Sequence, residues 1–237
     1  MYRIDYNFLL SEIKTGFLYL PFTLFLATGP LVIGFVIGGI LALIRVQRVP
    51  VISEIIRWYT VFIRGLPMVL ILLIVYFAFV SGFDLIMNAL NLPFKSGQIP
   101  PVLFAFIILS FISTALITES IRMALLSVPP GQIEAAQSIG MTTPMIYRRV
   151  IVPQAMPVAV PILGNTFIGQ IKGTALVSMI GVKDIVTQVR IAANANYRYL
   201  EAYIAVAIVY WIVCVGIEQG IRLLDRKIKS RIKGAVL

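Results

Sequence analysis

Residues 129–153, PPGQIEAAQSIGMTTPMIYRRVIVP, form a short polar stretch between two strongly apolar segments. Two prolines open this stretch and end the preceding helix, because proline cannot donate to the helical hydrogen-bond ladder. Gly140 can adopt the left-handed conformation that closes a helix, and Pro144 suits the first turn of the next one. The stretch therefore predicts two short helices, Gln132–Ile139 and Met145–Val152, joined at a glycine hinge, with the second helix leading into the apolar segment that follows.

The composition requires a membrane as the solvent of this chain. Of its 237 residues, 59% are hydrophobic, and the mean hydropathy is +0.96. A soluble domain cannot withdraw so much apolar surface from water. The net charge is +10, but the basic residues stand beside the apolar segments, which favours control of membrane topology over nucleic-acid binding. We therefore expect no nucleic-acid partner.

Five segments are long and apolar enough to cross a bilayer, which takes about 20 residues. The predicted spans are Phe17–Ile44, Leu66–Val80, Pro101–Leu126, Val152–Ile180 and Tyr203–Leu223. The second span is short, and the amphipathic segment Ile55–Ile63 before it is placed to extend it. Tyr2, Tyr6 and Phe8 suit the membrane interface. The sequence thus predicts one all-α transmembrane domain over residues 1–237, with a polar loop at 129–151.

The basic residues also predict which side of the membrane each loop faces. One side of the membrane, with the span ends counted, holds 13 of the 20 lysine and arginine residues, including Arg148 and Arg149. The positive-inside rule places that side in the cytoplasm. The N-terminus is then outside, the C-terminus inside, and the 129–151 loop cytoplasmic. The basic tail after the fifth span is expected to meet anionic membrane lipid.

Several kinds of chemistry are excluded by what the sequence lacks. It has no histidine, and its one cysteine, Cys214, lies in an apolar segment. We therefore predict no catalytic residue, no metal site and no intrachain disulfide. Residues 164–169 have the glycine spacing of a phosphate-binding loop, but Gln170 stands where that loop requires lysine. We expect no cofactor and no nucleotide bound by this chain.

Polar side chains inside the fourth span are candidates for a translocation pathway, because polar groups are costly in lipid and usually face a bundle interior. Asn165, Gln170 and Thr174 lie at roughly helical spacing and predict one polar face. The same face could instead hold neighbouring helices together. Lys172 could meet a substrate carboxylate, reach outward to the interface, or pair with Asp184.

Glu119 and Arg122 lie three positions apart on the third span, which puts them on one face of a helix. Two roles are open to this pair. Glu119 could contact a substrate in the pathway, or the two residues could form a structural ion pair near the cytoplasmic end. We favour the ion pair, because a buried charge needs a partner.

The 129–151 loop resembles a known motif. Glu134-Ala135-Ala136, Gly140, Val150, Val152 and Pro153 are similar to the EAA loop of ABC importer permeases, with valines where isoleucine and leucine are usual. Further matches surround the loop: Ser127-Val128-Pro129-Pro130-Gly131-Gln132, Pro153-Gln154-Ala155, Pro161-x2-Gly164-Asn165, Lys172-x-Thr174, Phe62-x-Arg64-Gly65-x-Pro67, Glu119-x-x-Arg122 and Glu201-x-Tyr203. Together they resemble the polar amino-acid permeases, the membrane subunits of histidine, glutamine, arginine and cystine importers.

This resemblance implies a five-span type I ABC importer permease fold in a bacterial inner membrane. It implies that the loop docks in a cleft of a cytoplasmic ATPase dimer, which binds the ATP and magnesium. It further implies a solute-binding protein outside and a second permease copy, identical or paralogous. The expected ATPase-coupling residues are Glu134, Ala135, Ala136, Gly140, Arg148 and Arg149. The two alanines would keep the docking surface flat, with Ile133, Ile139 and Met141 as apolar anchors.

Two other functions fit parts of the sequence. An ion-driven secondary amino-acid carrier would also place polar residues inside spans, but it has no use for the 129–151 loop, and five spans cannot form two equal inverted halves. A membrane scaffold would not need the polar residues of the fourth span. The sequence also departs from the resembled family by being less polar at five span positions: Leu66, Ile71, Leu116, Gly173 and Ala175.

Overall fold

A computed structural model describes residues 3–235 of the chain, with side chains described for residues 3–230. The described residues form nine α-helices: α1 (Tyr6–Val46), α2 (Ile52–Gly65), α3 (Met68–Ala89), α4 (Pro101–Leu126), α5 (Pro130–Ser138), α6 (Thr143–Ile146), α7 (Val152–Thr174), α8 (Ile185–Asn196) and α9 (Tyr199–Ala235). Ser96–Gln98 and Ala175–Ile180 are 3₁₀ helices, and Tyr147–Ile151 is a π-helix. Tyr2 and the side chains of Arg231 and Lys233 lie outside this description.

Five helical stretches within residues 3–230 are long and apolar enough to cross a membrane, which confirms the predicted all-α architecture. They are Tyr6–Val46, Met68–Ala89, Pro101–Leu126, Thr143–Ile180 and Tyr199–Ser230. The first begins eleven residues before the predicted Phe17. Asp5 explains this early start, since its carboxylate accepts the N–H of Phe8 at 3.1 Å and caps the helix.

The second long helix differs from the prediction at both ends. It continues to Ala89 instead of Val80, past the polar residue Asp84, whose carboxylate accepts hydrogen bonds from the Ser96 N–H and hydroxyl at 2.7 and 2.8 Å. The amphipathic segment does not extend it. That segment forms the separate helix α2, because Pro67 forces the preceding residue, Leu66, into an extended conformation.

Helix α1 packs most extensively on α4, the most buried of the long helices. Gly34 and Gly38 lie at this contact. A Cβ atom on Gly34 would come within 2.7 Å of Ser113, and one on Gly38 within 2.8 Å of the Thr114 carbonyl oxygen. This small-xxx-small spacing lets two helix backbones approach closely, as is common in membranes.

The two ends of the helix bundle carry different structures. At one end, here called the loop end, α4 passes through α5, α6 and the π-helix into α7. At the far end, α8 packs against α1 and α9 through a cluster that includes Ile185, Val189 and Val209. Asp5 also donates its N–H to Glu201 there, at 3.1 Å, which fixes the start of α1 to α9.

Candidate functional site

The first half of the 129–151 loop is a helix that ends at a glycine, as its sequence predicts. Helix α5 runs over Pro130–Ser138. Gly140 has φ +80°, and the N–H of the following Met141 donates to the Ala136 carbonyl at 3.1 Å. This left-handed closure is the conformation that favours glycine. It turns the chain sharply between α5 and α6.

The second half of the loop is helical and leads into the long helix α7, as predicted for Met145–Val152, although it begins at Thr143 and includes a π-helix. Helix α6 passes into the π-helix Tyr147–Ile151 and then into α7 without a break. Pro153 accounts for the local widening, since proline cannot donate to an upstream carbonyl and its ring crowds the turn before it. Short π-helical segments within α-helices occur often at functional sites. The loop is therefore continuous with the long helix α7.

The inner face of the 129–151 loop packs on the two helices that it joins. A buried apolar cluster takes its members from α4, α5, α6, the π-helix and α7: Ala124, Val128, Ala136, Ile146, Ile151 and Ala155. Ala136 thus lies beneath the loop surface, which corrects the expectation that it helps to form that surface. Ile133 and Met141 also pack against this cluster. The loop is consequently held to both α4 and α7.

The outer face of the loop presents charged groups and the apolar side chain of Ile139. Glu134, Arg148 and Arg149 are exposed, as is Ala135, and the Ile139 side chain is 78% exposed. Within the described residues, these three charged groups form no ion pair. They are free to pair with groups on another molecule. Of the three predicted apolar anchors, Ile139 is exposed, whereas Ile133 and Met141 are partly buried.

Glu119 lies at the centre of a cluster of arginines near the loop end. The side chain of Arg122 donates to it, with Nε 3.0 Å from Oε1, as the spacing of these two residues predicts. Arg45 at the end of α1 donates to Oε2 of the same carboxylate, and Arg64 of α2 approaches to 3.9 Å. The Arg45 guanidinium also donates to the Thr60 hydroxyl at 3.3 Å.

This cluster joins α1, α2 and α4, and the sequence reveals only its Glu119–Arg122 pair. Arg45 and Arg64 count in the sequence merely as basic residues that set the topology. No spacing rule connects positions on different helices, so their shared partner becomes visible only in the fold. The arrangement supports the structural interpretation of Glu119, whose side chain is 9% exposed.

The polar residues of α7 do not share one face, so that prediction is wrong. Gln170 and Thr174 are buried, whereas Asn165 and Lys172 are exposed. Five positions turn about 140° around a helix of 3.6 residues per turn, which separates Asn165 from Gln170. Seven positions return almost to the same direction, so Asn165 and Lys172 project on the same side. The helix has one buried and one exposed polar face.

The buried polar face of α7 contacts its neighbouring helices. The Thr174 hydroxyl lies 3.4 Å from the Tyr210 hydroxyl of α9, and the Thr166 hydroxyl lies 3.4 Å from that of Ser120 on α4. Gln170 is 2% exposed, and its side-chain Nε2 has no protein partner. These contacts fit the interpretation in which polar residues connect helices.

The exposed polar face of α7 borders a groove along α9. Lys172 lines this groove together with Tyr203, Trp211 and Glu218. Lys172 forms no ion pair with Asp184 in the described structure. Asp184 instead caps α8, accepting the Thr187 N–H at 2.9 Å, and its burial raises the pKa of its carboxyl.

Comparison with known proteins agrees with this architecture. The family model described as "Binding-protein-dependent transport system inner membrane component" matches residues 34–230. The chain is 34% identical to the L-cystine transport system permease protein TcyL of Bacillus subtilis (strain 168), over 95% of this chain and 92% of TcyL. It is 32% identical to the histidine/lysine/arginine/ornithine transport system permease protein HisQ of Escherichia coli (strain K12), over 91% and 93% of the two chains.

A solved structure has the same fold over nearly the whole chain. It is described as "Crystal structure of an amino acid ABC transporter with histidines". The TM-score is 0.82 at 31% identity, and the alignment covers 95% of this chain and all of the other. Sequence and fold agree: this chain belongs to the family of binding-protein-dependent transport system inner membrane components.

Proposed function

We propose that this chain is the permease subunit of an ATP-driven importer that moves a polar amino acid, or a close derivative, into the cytoplasm. ATP and magnesium are bound by a separate ATPase dimer, and a solute-binding protein delivers the substrate from outside. Two permease copies, identical or paralogous, enclose the pathway. The relatives support the substrate class, because TcyL is described by cystine, and HisQ by histidine, lysine, arginine and ornithine.

The outer face of the 129–151 loop carries the proposal for ATPase coupling. Glu134, Arg148 and Arg149 are exposed without an internal partner, beside an exposed Ile139. Charged groups around an apolar anchor give a docking surface its register and orientation. The inner face of the same loop is packed onto α4 and α7. Movement of a docked ATPase would therefore be transmitted directly to two long helices. Their movement would open the pathway to one side of the membrane and then to the other.

The exposed polar face of α7 supports the position of the pathway. In a single chain, Asn165 and Lys172 would face lipid tails, which cannot satisfy an amide or an ammonium group. A second permease copy on this side would remove them from lipid and enclose them with water and substrate. The Lys172 ammonium is then available to an amino-acid carboxylate. Gln170, Thr174 and Glu119 are less suited to substrate contact, because their side chains are buried inside one chain.

The basic residues support an orientation with the N-terminus outside and the loop end in the cytoplasm. A cysteine at Ile139 should then react with an impermeant maleimide only from the cytoplasmic side. Reaction only from the outside would show that the orientation is the opposite one. A cytoplasmic ATPase could then not contact the loop.

The coupling role can be tested by reversing the charge of Glu134. We expect Glu134→Lys to abolish ATP-driven uptake by the complete transporter while leaving the chain in the membrane, because the substitution is exposed and disturbs only the docking surface. Gly140→Pro should also abolish uptake, since proline cannot adopt a positive φ. Glu54→Lys is the control for charge reversal, because Glu54 is exposed on α2 outside the loop, where its only ion pair within the described residues is with the equally exposed Arg57. Normal uptake by both loop variants would refute the coupling role.

The pathway role can be tested with Asn165→Leu. The variant should assemble with the ATPase but transport substrate with a reduced rate or a higher KM, because leucine removes the Asn165 amide from the exposed face of α7. Asn194→Leu changes an exposed asparagine of α8 in the same way and should leave transport unchanged. Unaltered kinetics in the Asn165 variant would assign that residue to packing.

A further inference from the structure

An apolar groove of about 860 Å³ runs between α1 and the 129–151 loop. Its α1 wall includes Phe35, Val36, Ile40 and Leu43, and Ile121 and Leu125 of α4 form its floor. Two smaller cavities of about 200 and 220 Å³ share several of these residues and continue the groove towards the middle of the bundle. The described chain therefore carries an extended apolar channel that none of its own side chains fills.

The groove opens at the loop end onto polar side chains. Gln47, Thr143, Tyr147 and Arg148 line this mouth. Arg148 is exposed and forms no ion pair with the described residues. A guanidinium beside an amide and two hydroxyl groups is a donor-rich arrangement that suits a phosphate group.

The dimensions of the groove match one membrane leaflet. Phe35 and Leu43 are about 12 Å apart along α1, at 1.5 Å per residue. One leaflet contributes about 15 Å of hydrocarbon, half of the usual core thickness. An acyl chain that lies along Phe35, Ile40 and Leu43 would thus bring its headgroup to the level of Arg148.

We propose that this groove binds one anionic phospholipid of the cytoplasmic leaflet, with its acyl chain between α1 and α7 and its phosphate at Arg148. The proposal rests on the orientation given under the proposed function, in which the loop end is cytoplasmic. Charge complementarity selects the ligand: the mouth offers an unpaired cation and no carboxylate among its lining residues. The walls need a long apolar chain, which excludes free phosphate as the natural occupant.

A lipid in this position would affect the coupling loop. Tyr147 and Arg148 belong to the π-helix that joins α6 to α7, so a headgroup held there joins the loop to α1. The bound lipid fills the space into which the loop would otherwise move against α1. Coupling between ATPase and pathway should therefore depend on anionic lipid in addition to the protein contacts.

Lipid retention by the purified full-length chain tests the headgroup site. In native mass spectrometry, we expect phosphatidylglycerol to remain bound and phosphatidylcholine with the same acyl chains to dissociate, with glycerol phosphate not retained. Arg148→Gln should weaken phosphatidylglycerol binding about tenfold, the effect of losing one charge-assisted hydrogen bond. Arg149→Gln removes the same charge from the neighbouring position, which does not line the groove, and should keep the lipid. Equal losses in both variants would reduce the effect to general electrostatics and overturn the proposal.

A second pair of variants tests the acyl-chain site. Ile40→Trp places a large side chain in the groove and should abolish lipid retention, whereas Ile37→Trp, on the same helix outside the groove, should not. If Ile40→Trp instead dissociates a permease dimer and leaves lipid retention intact, the groove is occupied by a second chain and the proposal is wrong. These measurements use neither the ATPase nor transport, so their outcome is independent of the proposed import function.

Discussion

Glu119 is a buried carboxylate that arginines from three helices approach. A buried charge is costly to desolvate, and its removal leaves the opposite charges of the cluster without compensation. Arg45 in particular is mostly buried, at 11% exposure of its side chain. The cluster therefore acts as a structural connection between α1, α2 and α4 close to the start of the 129–151 loop.

Removal of this carboxylate should strongly destabilise the chain. We expect Glu119→Ala to cost about 3–5 kcal/mol, the usual penalty for breaking a buried ion pair. Thermal unfolding in detergent measures the effect. Glu218→Ala is the matched control, because Glu218 pairs with Arg222 on the surface of α9 with 45% of its side chain exposed. Such surface pairs contribute below about 1 kcal/mol. Equal losses in the two variants would contradict the structural role of Glu119.

At the scale of helices and turns, the 129–151 loop depends on a single backbone conformation. Gly140 has φ +80°, and a Cβ atom there would meet nothing within 4 Å. Substitution at this position is therefore opposed by backbone strain and not by crowding. A substitution at Gly140 therefore tests the backbone conformation of the loop without adding a steric clash.

Gly140→Ala should destabilise the loop by about 1–2 kcal/mol, the cost of a left-handed conformation for a residue with a side chain. Uptake should fall with it, because the angle between α5 and α6 sets the shape of the proposed docking surface. Gly131→Ala is the control, since Gly131 lies in α5 with open space around it and no positive φ. It should preserve uptake and stability. A Gly140 variant with wild-type stability and uptake would show that the turn tolerates another conformation.

The helices could be predicted from the sequence where one local signal dominates. Apolar length identifies all five long helices, and proline and glycine mark α5 correctly. Local signals fail where tertiary structure overrides them. Asp84 does not end α3, because the following turn satisfies its carboxylate. The sharing of Glu119 by Arg45 and Arg122 depends on how α1 and α4 approach each other, which no sequence spacing contains.

The two polar faces of α7 show a second limit. Spacing alone suggested a single polar face, but the partner helices decide which polar residues are buried. Thr174 meets Tyr210 of α9, while Lys172 borders an open groove. The proposed coupling residues rest on resemblance to a family motif, and the structure adds that Ala136 faces inward. It also distinguishes the exposed Ile139 from its packed neighbours Ile133 and Met141.

At the scale of the whole molecule, the architecture connects one charged loop to two long helices and leaves one polar face of α7 exposed. Under the proposed function, each feature would have its own partner: an ATPase at the loop, another permease at α7, and lipid around α1. An ion-driven carrier would not need an ATPase at the loop. We therefore expect transport by this chain to depend on ATP hydrolysis by another subunit.

Substrate uptake into sealed proteoliposomes tests this claim most directly. Vesicles contain the permease chain with or without its ATPase, with the solute-binding protein on the side that faces away from the loop end. We predict uptake of a labelled amino acid only when both the ATPase and ATP are present, with no ATP hydrolysis by the permease alone. Uptake by the permease without the ATPase, driven by a proton or sodium gradient, would contradict the account and establish a secondary carrier.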